Sequence, residues 1–171
     1  MLLASDLSRA VDTARPVARA SGLEPVLDVR LRELHLGRWE GLTSEQARER
    51  YPREHADWRA GRDVARGGGE TYAQAADRAV ECLVAHLPES GTLLAVTHGG
   101  TARAAIGRLL DLPVLCWGSL AGLDNTCWSV VAESDRGWRL ERHGVGLDLG
   151  VGPDGSREPG HQGTPADGRP L

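Results

Sequence analysis

The stretch LLAVTHGGTARAAIG, residues 93–107, places His98 where an apolar run ends and a helical pattern begins, with Gly99 and Gly100 following it. In an open α/β sheet such a junction is where unpaired helix N–H groups face a ligand, and glycines let the backbone come close, so the stretch points to an anion site. A second junction of this kind is ASDLSRAVDTA, residues 4–14, which sets Arg9 in the first turn of a helix. A guanidinium there can fork two oxygens of a phosphate, helped by the helix dipole. A third stretch, LRELHLGRWEGLT, residues 31–43, holds Glu33 among apolar residues and glycines. A carboxyl kept beside apolar groups can carry a proton at neutral pH and act as a general acid. Read singly, each residue also has a plainer account. His98 would be a hydrogen-bonded strand-end residue, Arg9 a solvated arginine like Arg15 or Arg19, and Glu33 a surface carboxylate beside Arg30 or Arg32.

The elements that must position these residues are set by periodicity. Residues 2–4 read as a short strand, and Ser5 or Asp6 can cap a helix to about residue 20, kinked at Pro16 and ended by Gly22. EPVLDVRLREL reads as extended, and Thr43 with Gln46 opens a further helix through a capping box. GRDVARGGGE, residues 61–70, reads as a loop. Thr71 then caps the longest helix, whose stripe of Ala75, Ala76, Ala79, Val80, Leu83, Val84 and Leu87 stops at Pro88. Residues 92–97 read as a buried strand, 101–110 as a helix, and 127–132 with 138–142 as a hairpin. The expected fold is α/β, a three-layer sandwich around a mostly parallel mixed sheet. One domain is expected over residues 1–143, with 144–171 a Gly- and Pro-rich tail too poor in large apolar groups to offset its chain entropy.

Composition narrows the functional classes. The formal net charge of −4 argues against a general nucleic-acid binder. All 20 basic residues are Arg, so arginine abundance alone marks no anion-binding face. Cys82, Cys116 and Cys127 have no C-x-x-C spacing and indicate neither a disulfide framework nor a zinc site. With no signal-peptide pattern and no apolar run of membrane-spanning length, a cytoplasmic protein without membrane partners is expected.

Taken together and in order, the stretches resemble the histidine phosphatase superfamily, the phosphoglycerate-mutase-like fold. SDLSRAVDTA is similar to that family's second phosphate-binding Arg segment, LRELHLGRWEGLT to its acid-Glu segment, GGGETYAQAADRAVECL to its Gly-Glu helix entry, and VTHGGTARA to its second His motif. The resemblance covers roughly residues 2–143. It implies a phosphomonoester hydrolase that works through a phosphohistidine intermediate, with no metal or organic cofactor, on a small phosphorylated metabolite. It makes Arg9 a phosphate clamp, Glu33 the proton donor, His98 the second phosphate-facing histidine, and Glu70 a candidate for the pocket rim. Mutases of the family carry a longer insertion between the acid Glu and the second His motif and favour His-Gly-Asn. Here the two residues lie 65 positions apart (98 − 33) and the motif is His-Gly-Gly, which favours a phosphatase.

The family's opening strand, ending in Arg-His-Gly-Glu, supplies the nucleophile, and this sequence shows no such motif ahead of LLASDLSRA. The expectation is a fold with its first strand missing, N-terminally truncated and without turnover. Arg142, His143 and Gly144 spell Arg-His-Gly after WRLE, but the residues after Gly144 lack the Glu-Thr of the motif, so His143 is expected near the sheet edge and outside the site. Other readings are a non-catalytic binder of phosphorylated ligands, a mutase-type phosphoryl transferase, and an α/β scaffold for a protein partner. In the family the first strand lies beside residues 92–97. Its absence is expected either to draw the hairpin in or to leave an open edge that favours homo-oligomers.

Overall fold

The computed structural model describes residues 1–146. Its sheet has three parallel strands, β1 (Leu2–Ala4), β2 (Val26–Leu27) and β3 (Leu94–Val96), in the order β2-β1-β3. All of β1 is buried, as a central strand covered on both faces must be. Leu3 packs with Ala79 and Cys82 of α4 (Tyr72–Ala85) and Ala105 of α5 (Gly99–Leu109). Strand alternation sends Leu2 and Ala4 to the opposite face, and α1 (Ser8–Ser21) packs against β1 and β3. The result is the expected α/β layering. Because the strands are parallel, Ser5, Asp28 and His98 all emerge at one edge.

Local chemistry explains most boundaries. Full capping boxes at Thr43–Gln46 and Thr71–Gln74 start α2 (Ser44–Arg50) and α4, while Pro52 opens α3 (Pro52–Arg59) at a position where its missing N–H costs nothing. Gly22 ends α1 in the left-handed conformation and donates its N–H to Ala18 O. α1 starts one residue later than the Asp6 cap would place it. Its N-cap is Leu7, because the Asp6 carboxylate is taken by Arg32 at 2.5 and 2.7 Å. The segment after Gly22 is extended only at Val26–Leu27 and then forms a 3-10 turn, Val29–Leu31, capped by Asp28. The triple-glycine stretch is also more ordered than a plain loop. Arg66–Gly68 is a 3-10 turn packed on the turn Gly37–Trp39, and a Cβ at Gly67 would lie 2.6 Å from Arg38 N. Close backbone approach, as well as a φ of 58°, calls for glycine there.

The hairpin, β4 (Trp128–Ser134) and β5 (Gly137–Val145), forms its own antiparallel sheet rather than joining the parallel one into a mixed sheet. β5 runs two residues past the expected domain end at 143, and 147–171, most of the expected tail, lies outside the described residues. Among the described residues, β3 therefore pairs only with β1. The outer edge of β3 is, among the described residues, open rather than closed by the hairpin. Leu94 N–H and Val96 C=O are bonded across to Met1 O and Ser5 N, so alternation turns the Ala95 amide to the unpaired side. Hydrogen exchange in dilute solution is expected to be fast at Ala95 and slow at Leu94. Equal protection at both in a proven monomer would show that the edge is covered.

Candidate active site

Three of the predicted residues come from three strand ends of the same edge. Arg9 lies in the first turn of α1, and His98 is the N-cap of α5 with extended φ and ψ. They meet: Arg9 Nε donates to His98 Nδ1 at 3.2 Å. The other ring nitrogen, Nε2, lies 2.9 Å from Ser5 Oγ, which also accepts from Leu7 N. Since a guanidinium can only donate, Nδ1 is the acceptor and Nε2–H the donor to Ser5, which fixes a neutral imidazole in one tautomer. His98 is 8% exposed. Burial lowers its pKa below the ordinary histidine range, Glu33 pulls it upward, and the Arg9 charge adds to the lowering.

Glu33 is brought to the start of the same helix. Its Oε1 accepts from Leu34 N at 2.9 Å, Thr101 N at 3.0 Å and Thr101 Oγ1 at 3.2 Å, and its Oε2 accepts from Gly100 N at 3.2 Å. The surroundings are thus hydrogen-bond donors rather than the apolar walls its sequence neighbours implied. Glu33 caps α5 in place of the N-cap side chain, which makes no capping bond. Gly100 has to be glycine for this, since a Cβ there would stand 2.8 Å from Glu33 Oε1.

Glu70 serves another partner. It receives Arg78 Nε at 2.7 Å and Nη2 at 2.9 Å as a two-pronged fork, and His35 N at 3.0 Å. The fork holds the Glu70 pKa below its usual value. Arg78 also donates to the carbonyls of Arg30 at 2.6 Å, Arg32 at 2.9 Å and Glu33 at 3.3 Å. It ties the acid segment to α4, and Glu70 helps to hold it there. Sequence reading missed Arg78, Ser5 and Thr101. Arg78 had left a signal, an arginine four residues before buried Cys82 and three after buried Ala75, on the stripe that faces the core.

His143 is placed apart from these residues, on β5, with Nδ1 2.8 Å from Ser129 Oγ and Nε2 2.9 Å from Ala121 O. Among the described residues one group could offer ligand atoms to a metal, Asp28, Cys82 and His86. Asp28 is already forked by Arg30, which holds its carboxyl well below the usual range, and burial pushes the Cys82 thiol up to about 11. No helix among the described residues is long and apolar enough to cross a membrane.

Comparison with known proteins bears on this arrangement. A family model, histidine phosphatase superfamily (branch 1), matches residues 1–146. Glucosyl-3-phosphoglycerate phosphatase of Mycobacterium tuberculosis is 38% identical over 160 residues, covering 82% of this chain and 71% of that protein. The Mycolicibacterium vanbaalenii protein of the same name is 36% identical over 80% of this chain, which spans 64% of its length. A metal-independent phosphoserine phosphatase of Arabidopsis thaliana is 31% identical over 80% of this chain and 58% of its own. Among solved structures, the mycobacterial glucosyl-3-phosphoglycerate phosphatase in complex with inorganic phosphate superposes with a TM-score of 0.76 at 35% identity, over 88% of this chain and 79% of that one. The chain belongs to the histidine phosphatase superfamily.

Proposed function

We propose that Arg9, His98 and Glu33 form the phosphate end of a histidine-phosphatase site that acts on a small, soluble phosphomonoester. The contact of Arg9 Nε with His98 Nδ1 carries this reading, because two groups able to bind oxyanions are held together at the carboxyl edge of a parallel sheet. An entering phosphate takes the Arg9 fork for itself. His98 Nδ1, released from Arg9, then holds a proton toward the anion, so that both groups stabilise charge on the transferring oxygens. Glu33 passes a proton taken up from solvent to the leaving alcohol through Oε2, the oxygen with the fewer bonds. In the family's scheme the phosphoryl group passes from the ester oxygen to a second histidine, and water then releases it as phosphate. Among the described residues no second histidine is bonded to Arg9 or His98, and we assign that step to none of them. The named relatives and the His-Gly-Gly motif favour a phosphatase over a mutase. Phosphoglycerate- or sugar-type phosphates are the substrates to test first.

Binding tests this directly. Arg9→Ala is expected to weaken inorganic phosphate binding by about 10- to 100-fold, the worth of a charge-assisted fork. Arg15→Ala should leave it unchanged, since Arg15 is paired with Asp12 on the outside of α1. Sulfate, a dianion throughout the histidine range, tests the role of His98. Because the anion favours protonated His98, binding takes up a proton and must tighten as pH falls through that range. His98→Gln should flatten the profile. Equal losses from Arg9→Ala and Arg15→Ala, or a flat sulfate profile in the unaltered chain, would refute the assignment.

A further inference from the structure

An open cleft of about 460 Å³, solvent mouth included, lies between α3, the first turn of α4, α5 and the 3-10 turn Val114–Ser119. Trp58, Tyr72, Leu115 and Trp117 give it apolar walls, Arg62 and Arg103 give it cations, and no carboxylate among the described residues lines it. Arg62 is paired with Asp57. Arg103 forms no ion pair among the described residues, and its Nε is buried without a hydrogen-bond partner.

Arg66 stands against the same walls. It is only 6% exposed, and its guanidinium lies 5.5 Å from the Trp58 ring centre and 5.0 Å from that of Tyr72. Its Nε is also buried without a partner. The carboxylates near it in the chain are engaged elsewhere, Glu70 with Arg78 and Asp57 with Arg62. Glu54 accepts from Gly67 N at 2.8 Å, and Asp63 accepts from Tyr72 N at 2.7 Å and Ala73 N at 3.2 Å. Aromatic faces attract the charge of a guanidinium but are poor acceptors for the donors in its plane. A buried arginine in that state is costly unless an acceptor arrives from outside. Arg103 on the cleft with its Nε unpartnered, Arg66 behind two of the walls, and no lining carboxylate among the described residues together describe a site for an anion.

We propose that this cleft is a second anion site, in which Arg103 takes a carboxylate or phosphate group, Arg66 adds its charge from behind the Trp58 and Tyr72 walls, and the body of the ligand lies on Trp58 and Leu115. The inference does not depend on what Arg9 and His98 bind. The anion can be the distal acidic group of the substrate or a separate small molecule, and the test separates the two.

The full chain, labelled with nitrogen-15, is titrated with inorganic phosphate while the Nε–H signals of Arg9, Arg66 and Arg103 and the indole signals of Trp58 and Trp117 are followed. The Arg103 and Trp58 signals are expected to move to saturation, and to do so equally in Arg9→Ala. In Arg103→Gln, and separately in Arg66→Gln, the Trp58 movement should shrink at least several-fold while the Arg9 signal still responds. Titration with 3-phosphoglycerate then distinguishes the sources. One shared 1:1 isotherm for Arg9 and Arg103 identifies a substrate that spans both sites, and two independent isotherms identify a separate ligand. Cleft signals that stay still, drift without saturating, or lose their response in Arg9→Ala would overturn the proposal. An Arg9 signal that stays still while the cleft saturates would instead remove the proposed function and leave this site standing.

Discussion

Replacing Arg78 by alanine is expected to lower the stability of the chain by about 3 kcal/mol, and Tm by about 6 to 12 °C. The reason is the geometry of one side chain. All five N–H donors of Arg78 are used, two on Glu70 and three on the carbonyls of Arg30, Arg32 and Glu33. Its truncation strands the partly buried Glu70 carboxylate and three acceptors together. The effect also has a pH signature. The folded pKa of Glu70 is depressed, so its contribution is present above the unfolded carboxylate range and is lost as pH falls through the lowered folded value. In Arg78→Ala the acid limb of stability should flatten, and Glu70→Gln should flatten it likewise. Thermal melts across the acid range check this, and an unchanged acid limb in both variants would refute the fork. The same change loosens residues 30–33, which carry Glu33 to the start of α5. Phosphate binding by the Arg78→Ala variant should therefore weaken even at temperatures where it is folded.

Features that could be read in the sequence and features that could not divide along the range of the interactions. The capping box at Thr43 and the cap at Thr71 are set by residues three apart, and both were legible, although sequence reading missed the Gln74 half of the second box. Asp6 failed as a cap because Arg32, 26 positions on, holds its carboxylate. The meeting of Arg9 with His98 was foreseeable from two strand-to-helix junctions in a parallel sheet, each of which sends its residue to the same edge. The role of Glu33 as a cap for α5 spans 68 positions, and nothing in its local sequence marks it. Its neighbour Leu31 is buried in the core cluster, and the carboxylate turns to the helix N–H groups. Gly67 and Gly69 looked like freedom and prove to be closeness, since the facing backbone, residues 35–39, lies some thirty positions earlier.

The largest effect belongs to turnover. Supplying the chain with a preceding strand that ends in Arg-His-Gly-Glu is expected to raise hydrolysis of p-nitrophenyl phosphate by roughly three orders of magnitude or more, because a nucleophile acts as a unit with its partners. The fold has a place for such a strand. β3 pairs only with β1 among the described residues, the hairpin stands off as a separate sheet, and a strand added at the outer edge of β3 would end beside His98. Its amide and carbonyl groups would meet those that Ala95 turns outward, so the slow exchange of Ala95 should appear together with the activity. Mutating the supplied histidine to alanine should abolish the gain but keep the Ala95 protection, which separates chemistry from folding. His143→Ala should change nothing, for both its ring nitrogens are engaged with Ser129 and Ala121 on the hairpin. If the 171-residue chain by itself hydrolyses the ester at the restored rate, and loses that activity in His98→Ala, then His98 performs the attack and the expectation of a separate nucleophile is wrong.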